Sequence, residues 1–257
     1  MVSRSLHQYG SHPSQLGELF LPSGAGPFAV CVVVHGGYWR AKYDRSLMTG
    51  LCVDLSAHGL AAWNVEYRRV GAGGGWPETF LDAAAAIDTL ADLEAPLDLA
   101  RVEAVGHSAG GQLALWAAAR HTLPPGAPGA GPRVRIHAAV SQAGVLDLTL
   151  AAELSPSAEP TRALLGDPAE HGDRYELASP RARLPLGIPQ LLLHGDRDDT
   201  VSMRIATSYA AAAREAGDPS ELRILTSTGH FEHIDAHSHA WHTARDWLVD
   251  YASAARS

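Results

Sequence analysis

Two cysteines and three methionines in 257 residues leave little room for thiol or thioether chemistry. Cys31, in an expected strand, and Cys52, in an expected helix, read as small buried hydrophobes, which excludes a disulfide framework and gives no sign of an oxidising compartment. Long apolar runs are also lacking. Stretches such as FAVCVVV (28–34) fall far short of the ~18 residues that a bilayer span requires, so no membrane partner is expected. The start, MVSRSLHQYG, has no apolar h-region, and the expected location is therefore the cytoplasm. Positive charge is scarce. Lysine and arginine total 20 against 28 acidic residues, a formal charge of −8, which removes the general attraction for phosphate backbones and excludes nucleic acid as an expected partner. No internal repeat is visible.

What the chain does have is core material. Hydrophobic residues make up 46% and charged residues only 19%, a balance that supports a large packed interior. Short apolar runs alternate with longer segments of helical period, the signature of βα units building a mostly parallel sheet with helices on both faces. Strands are expected at 16–21, 29–34, 61–67, 101–106, 136–143, 189–195 and 221–227. Helices are expected at 44–59, from Pro77 to about 95, at 109–121, 202–217 and 238–255. The segment TLPPGAPGAGPR (122–133) reads as a mobile surface loop. Residues 146–187, irregular and proline-containing, read as a small cap excursion above the sheet within a single domain spanning 1–257.

The strongest chemical signal is Gly106-His107-Ser108-Ala109-Gly110 between an expected strand and an expected helix. A serine hydroxyl is a poor nucleophile until it is exposed on a sharp turn and given a base, and a strand-to-helix turn with small flanking residues supplies the exposure. The base and its orienting carboxylate must then lie at the ends of later strands. LLLHGDRDDTV places Asp196, Asp198 and Asp199 after one such strand, and ILTSTGHFEH places His230 after the next. The residue pattern alone leaves the three aspartates open, and turn or helix-cap roles suit Asp199 and Thr200.

This order of elements and residues resembles the α/β-hydrolase superfamily from residue 16 onward. The resemblance implies a central sheet of about eight strands, with Ser108 as nucleophile, Asp198 as acid and His230 as base. It also implies that the H-G-G of AVCVVVHGGYWRAK (29–42) turns its amides toward an oxyanion, which nominates Gly37, Tyr38 and Ala109 as donors and leaves His35 to pin the loop. Tyr38 stands where esterases similar to hormone-sensitive lipase carry a third glycine. The combination HGGYW, GHSAGG and SQAGVLDL (141–148) resembles the kynurenine formamidase (arylformamidase) branch and its bacterial relatives.

The function these residues suggest is hydrolysis of a small ester or activated amide through an acyl-enzyme, with arylformamidase as the narrower alternative and a non-catalytic binding protein of the same fold as the other. No cofactor or metal is expected. The histidine-rich HFEHIDAHSHAWH (230–242) offers a competing metal reading through His233 and His237, four apart, but it lacks H-E-x-x-H and any cysteine pair. Trp39, Trp76, His107, Leu146 and Phe231 are candidates for the pocket wall, with core packing as the alternative for each. Arg40 and Lys42 are candidates for holding an acidic substrate, or ordinary surface charges. The expected partner is a small molecule, and the assembly is open between a monomer and a homodimer.

Overall fold

The structure, a computed structural model, describes residues 2–154 and 159–254. Its organising element is β3 (Phe28–Val34), every residue of which is buried. A strand covered on both faces has no polar side to alternate with, so it appears in sequence as a continuous apolar run. Val30, Val32 and Val34 point into one core layer, while Ala29, Cys31 and Val33 point into the other.

Around it stand β1 (Ser3–Gln8), β2 (Leu16–Leu21), β4 (Ala61–Val65), β5 (Leu97–His107), β6 (Ala138–Gln142), β7 (Gln190–Gly195) and β8 (Ser220–Leu225). Among the described residues the sheet has eight strands in the order β1-β2-β4-β3-β5-β6-β7-β8. From β4 to β8 every neighbour is parallel, and β1 and β2 join antiparallel. The fold is that of an α/β-hydrolase, as the sequence implied. β1 was not foreseen, because SRSLHQ is an exposed edge strand without an apolar face to mark it.

The first core layer receives α2 (Glu78–Asp88), α3 (Ala109–Ala118) and α7 (Met203–Glu215), through residues such as Phe80, Trp116 and Tyr209. The second receives α1 (Thr49–Ala57) and α8 (His239–Ala254), through Leu51, Leu55, Trp241 and Leu248. The helix expected from residue 44 divides. Asp44 caps a 3₁₀ turn over Arg45–Met48 by accepting from the Ser46 amide at 2.8 Å, and α1 follows, closed by Gly59 at φ +88°. Both cysteines are free and buried, as expected.

After a short 3₁₀ turn, residues 122–133 form an irregular surface segment, as composition suggested, and they carry contacts that composition did not show. The Arg120 guanidinium, itself buried, donates to the Gly129 carbonyl at 2.6 Å and pairs with Asp88, and Arg133 pairs with Asp92 at 2.7 Å. These charge-assisted contacts hold a segment rich in proline, glycine and alanine. Within the expected cap lie α4 (Leu148–Leu154), α5 (Glu159–Leu165) and α6 (Gly172–Ala178), while its residues 155–158, like residue 255 of the expected last helix, lie outside the described residues. No helix among the described residues is long and apolar enough to cross a membrane.

Candidate active site

The parallel strands deliver their C-terminal ends to one edge of the sheet, where loops can gather side chains from distant parts of the sequence. β5 arrives with His107, and the chain reverses into α3 through Ser108, which holds φ 55° and ψ −120°. That conformation is costly for a residue with a side chain and persists only where neighbours enforce it. Close packing does so here. A Cβ on Gly106 would stand 2.1 Å from the Gly110 carbonyl oxygen, and one on Gly110 would stand 2.1 Å from the Val34 carbonyl oxygen. The small residues around the serine let strand, turn and helix touch.

β7 delivers Asp198 and β8 delivers His230. His230 Nδ1 lies 2.8 Å from Asp198 Oδ2, while Asp198 Oδ1 accepts from the amides of Thr200 and Val201 at 2.9 and 2.8 Å. Burial would raise this carboxyl's pKa, but the His230 bond and charge and the two amides outweigh burial and hold it at about 2. A carboxylate that stays ionised accepts the hydrogen bond of Nδ1–H, which orients the ring and turns Nε2 away from Asp198. His194 stands behind the pair, its Nε2 donating to the Val201 carbonyl at 2.9 Å and lying 3.5 Å from Asp198. Asp199 accepts from the Thr200 hydroxyl at 3.1 Å, and Asp196 accepts from the Thr228 amide at 3.3 Å. Of the three aspartates, the structure brings Asp198 to the histidine.

The H-G-G loop runs against the serine. A Cβ on Gly36 would fall 3.1 Å from that of Ser108, and Gly37 takes φ +108° beside the Tyr43 side chain. Among the described residues, the amides of Gly37, Tyr38 and Ala109 have no acceptor within the chain. His35 anchors the loop: its Nδ1 faces the Gly36 carbonyl at 2.7 Å, its Nε2 faces Glu66 at 3.0 Å, and its ring stacks on Tyr67. Glu66 also accepts from the Arg45 and Tyr67 amides, so this loop rests on a satisfied buried network.

The candidate pocket residues fall in different places. Tyr38 and Trp39 line a cavity of about 370 Å³ together with Val145, Leu154, Thr200 and Ile205. Phe231 is 64% exposed and meets the His230 ring edge-on at 5.2 Å. Trp76 packs on Phe80, and Leu146 is part of the core. His107 is buried behind the site, where its Nε2–H donates to the His230 carbonyl at 2.9 Å. Burial first, then the nearby His230 and His233, push its pKa well down, so it is neutral. The histidine-rich segment diverges: His233 is buried, His237 is held by Asp235 through its amide, and His242 faces the Ala236 carbonyl. Among the described residues no group of three or more His, Cys, Asp or Glu is arranged around a common point for a metal.

Gln112 and His194 were not foreseen as site residues. Gln112 had a signal, a lone amide within the otherwise apolar AGGQLALW of α3, and its side chain accepts from the Trp39 indole at 3.1 Å.

The BD-FAE family model matches residues 18–212. None of the curated proteins matches the sequence. Among solved structures, a truncated carbohydrate esterase from gut microbiota aligns at TM-score 0.85 and 20% identity, covering 98% of this chain and 96% of that one. Esterase B from Lactobacillus rhamnosis aligns at TM-score 0.83 and 16% identity, over 98% and 87% of the two chains. The propionate-bound Est2 esterase from Thermogutta terrifontis aligns at 0.76 and 22% identity, over 96% and 92%.

Proposed function

The chain belongs to the BD-FAE family and has the α/β-hydrolase fold, and from that premise we propose that it is a serine hydrolase of small carboxylic esters. The observation that carries this reading is the Asp198–His230 bond of 2.8 Å, set on the same sheet edge as a serine in an enforced turn and three amides without internal acceptors. In this reading His230 Nε2 takes the proton of Ser108 as Oγ attacks the ester carbonyl. The negative charge that develops on the carbonyl oxygen is met by the Gly37, Tyr38 and Ala109 amides. His230 then protonates the departing alcohol, and water, activated by the same imidazole, releases the acid from Ser108. Asp198 keeps the imidazole oriented and stabilises its charged form. The names of the three structural neighbours given above, each an esterase, support ester cleavage.

Arylformamidase is the narrower alternative to ester cleavage. The cavity beside Asp198 joins apolar side chains to the Thr161, Thr200 and Ser202 hydroxyls and to two aspartates, a lining that suits a small, partly apolar acyl compound. We take 146–187 as the cap, since Ala151, Leu154 and Thr161 form part of that wall. Ser108→Ala is expected to abolish hydrolysis of p-nitrophenyl acetate with an unchanged circular-dichroism spectrum. Undiminished turnover would remove the serine mechanism, and a wild type inert on every ester tried would favour a non-catalytic binding protein. Rates on acetyl, butyryl and octanoyl esters beside N-formylkynurenine separate the two substrate classes.

A further inference from the structure

We propose that Gln112 is a positioning residue for the oxyanion loop, acting through Trp39, an assignment that rests on the serine-hydrolase reading above. After Gly37, two residues with large side chains occupy the left-handed region in succession, Tyr38 at φ 57° and Trp39 at φ 54°. Such a backbone relaxes unless its surroundings over-determine it. The main chain contributes ties from the Arg40 amide to the Gly37 carbonyl at 3.0 Å and from the Val70 amide to the Trp39 carbonyl at 2.8 Å. Side chains add further ties: Tyr38 bonds the Thr200 side chain, and the Trp39 indole N–H donates to Gln112 Oε1 at 3.1 Å, with Trp39 and Gln112 both buried.

The other end of the same amide is also committed. Gln112 Nε2 donates to the Ala178 carbonyl at 2.8 Å, and one helical turn further on Trp116 Nε1 donates to the Leu177 carbonyl at 3.0 Å. The last carbonyls of a helix have no partner within it, so α3 caps α6 with two side chains spaced four residues apart. The oxygen of Gln112 must face the indole and its nitrogen the carbonyl, which leaves this amide one orientation. α3 begins immediately after Ser108. One helix therefore places the nucleophile through its backbone and, through Gln112, the loop that offers the Gly37 and Tyr38 amides. The distance between attacking oxygen and oxyanion donors is set within a single rigid unit, which is what preorganised catalysis requires.

The test compares Gln112→Met, which keeps length but removes donor and acceptor, with Trp39→Phe and the double variant. Active sites are counted by the stoichiometric release of p-nitrophenol from diethyl p-nitrophenyl phosphate, so that misfolded protein does not enter the rate. For Gln112→Met, kcat per titrated site is expected to fall about tenfold, short of the ~100-fold or more that loss of a whole oxyanion donor costs. KM should stay within about twofold, and the Ki of a boronic acid that mimics the tetrahedral adduct should rise in step with the loss of kcat/KM. Trp39→Phe should lower kcat in the same way, and the double variant should be no worse than Gln112→Met, because both act on one contact. A kcat per titrated site close to that of wild type, with the loss confined to the titrated fraction or to Tm, would overturn the assignment and leave Gln112 a packing residue. If Gln112→Met does not fold, the same comparison of kcat per titrated site in Trp39→Phe decides between the two roles. A wild type that releases no p-nitrophenol would overturn the serine-hydrolase reading itself, and with it this assignment.

Discussion

Replacing Glu103 should stabilise the protein, and by more as the pH rises. Its carboxyl sits on β5 in the middle of the sheet, 1% exposed, and among the described residues neither oxygen has a hydrogen-bond partner. Burial pushes its pKa up from 4.5 to about 9, against a smaller opposing pull from the Arg101 charge. The folded state therefore keeps a proton that the unfolded chain releases near 4.5. Stability is fully present below that pH and is lost as pH rises toward 9, at about 1.4 kcal/mol per pH unit. Three units above the unfolded value, at about pH 7.5, the cumulative loss is roughly 4 kcal/mol, a large part of the ~5–15 kcal/mol typical of a folded domain. Glu103→Gln should abolish this slope, and Glu103→Leu should also spare the core an unpartnered polar group. Urea unfolding at pH 5.5 and pH 8.5 measures it. The variants' midpoints should rise relative to the wild-type midpoint between the two conditions, with m unchanged, because the buried histidines that titrate below 6.5 act on all three proteins alike. Parallel shifts in wild type and variants would mean that Glu103 is ionised and solvated in the native protein, and the reasoning would fail.

At the site, Asp198→Asn should lower kcat by roughly 10³- to 10⁴-fold, since the imidazole then loses its fixed tautomer, whereas Asp199→Asn should leave kcat nearly unchanged. Because Asp198 is held at about 2, its contribution of about 2 kcal/mol is present above its ordinary 3.8 and is lost as pH falls through 2. His233 adds to acid sensitivity earlier: burial, then the charges of His194 and His230, lower it from 6.5 to about 4. The unfolded chain binds that proton first, so stability is lost as pH falls from 6.5 through 4, and His233→Phe should flatten that part of a Tm-against-pH curve. Gly37→Ala should nearly abolish activity, because a Cβ there meets the Tyr43 side chain at 2.4 Å and the φ of +108° disfavours any side chain. A steady-state rate on p-nitrophenyl acetate checks it.

Much of this was legible in residue types alone. The fully apolar β3, the small residues around Ser108 and the glycines at 36 and 37 are local demands of backbone packing, and such demands leave their mark on residue type. The choice among Asp196, Asp198 and Asp199 was not a local matter. Three aspartates within four residues are equivalent in pattern, and the one that matters is decided by where β8 places His230. The same holds for His107, a candidate wall residue by position that lies buried behind His230. Composition marked 122–133 as a loop but not its contacts, because the groups that hold it, Arg120 and Arg133 against Asp88 and Asp92, reach it from outside its glycines and prolines or from its last residue. Glu103 gave no warning either: one acidic residue in RVEAVG reads as an ordinary strand position until both neighbouring strands are in place.

The measurement that bears most directly on the proposed chemistry is mass spectrometry of the protein quenched in acid during turnover of p-nitrophenyl acetate. An acetyl group should be found on the peptide that carries Ser108, accumulating in wild type and absent from Ser108→Ala. Turnover without any covalent adduct, or an adduct on another residue that persists in Ser108→Ala, would contradict the acyl-enzyme mechanism.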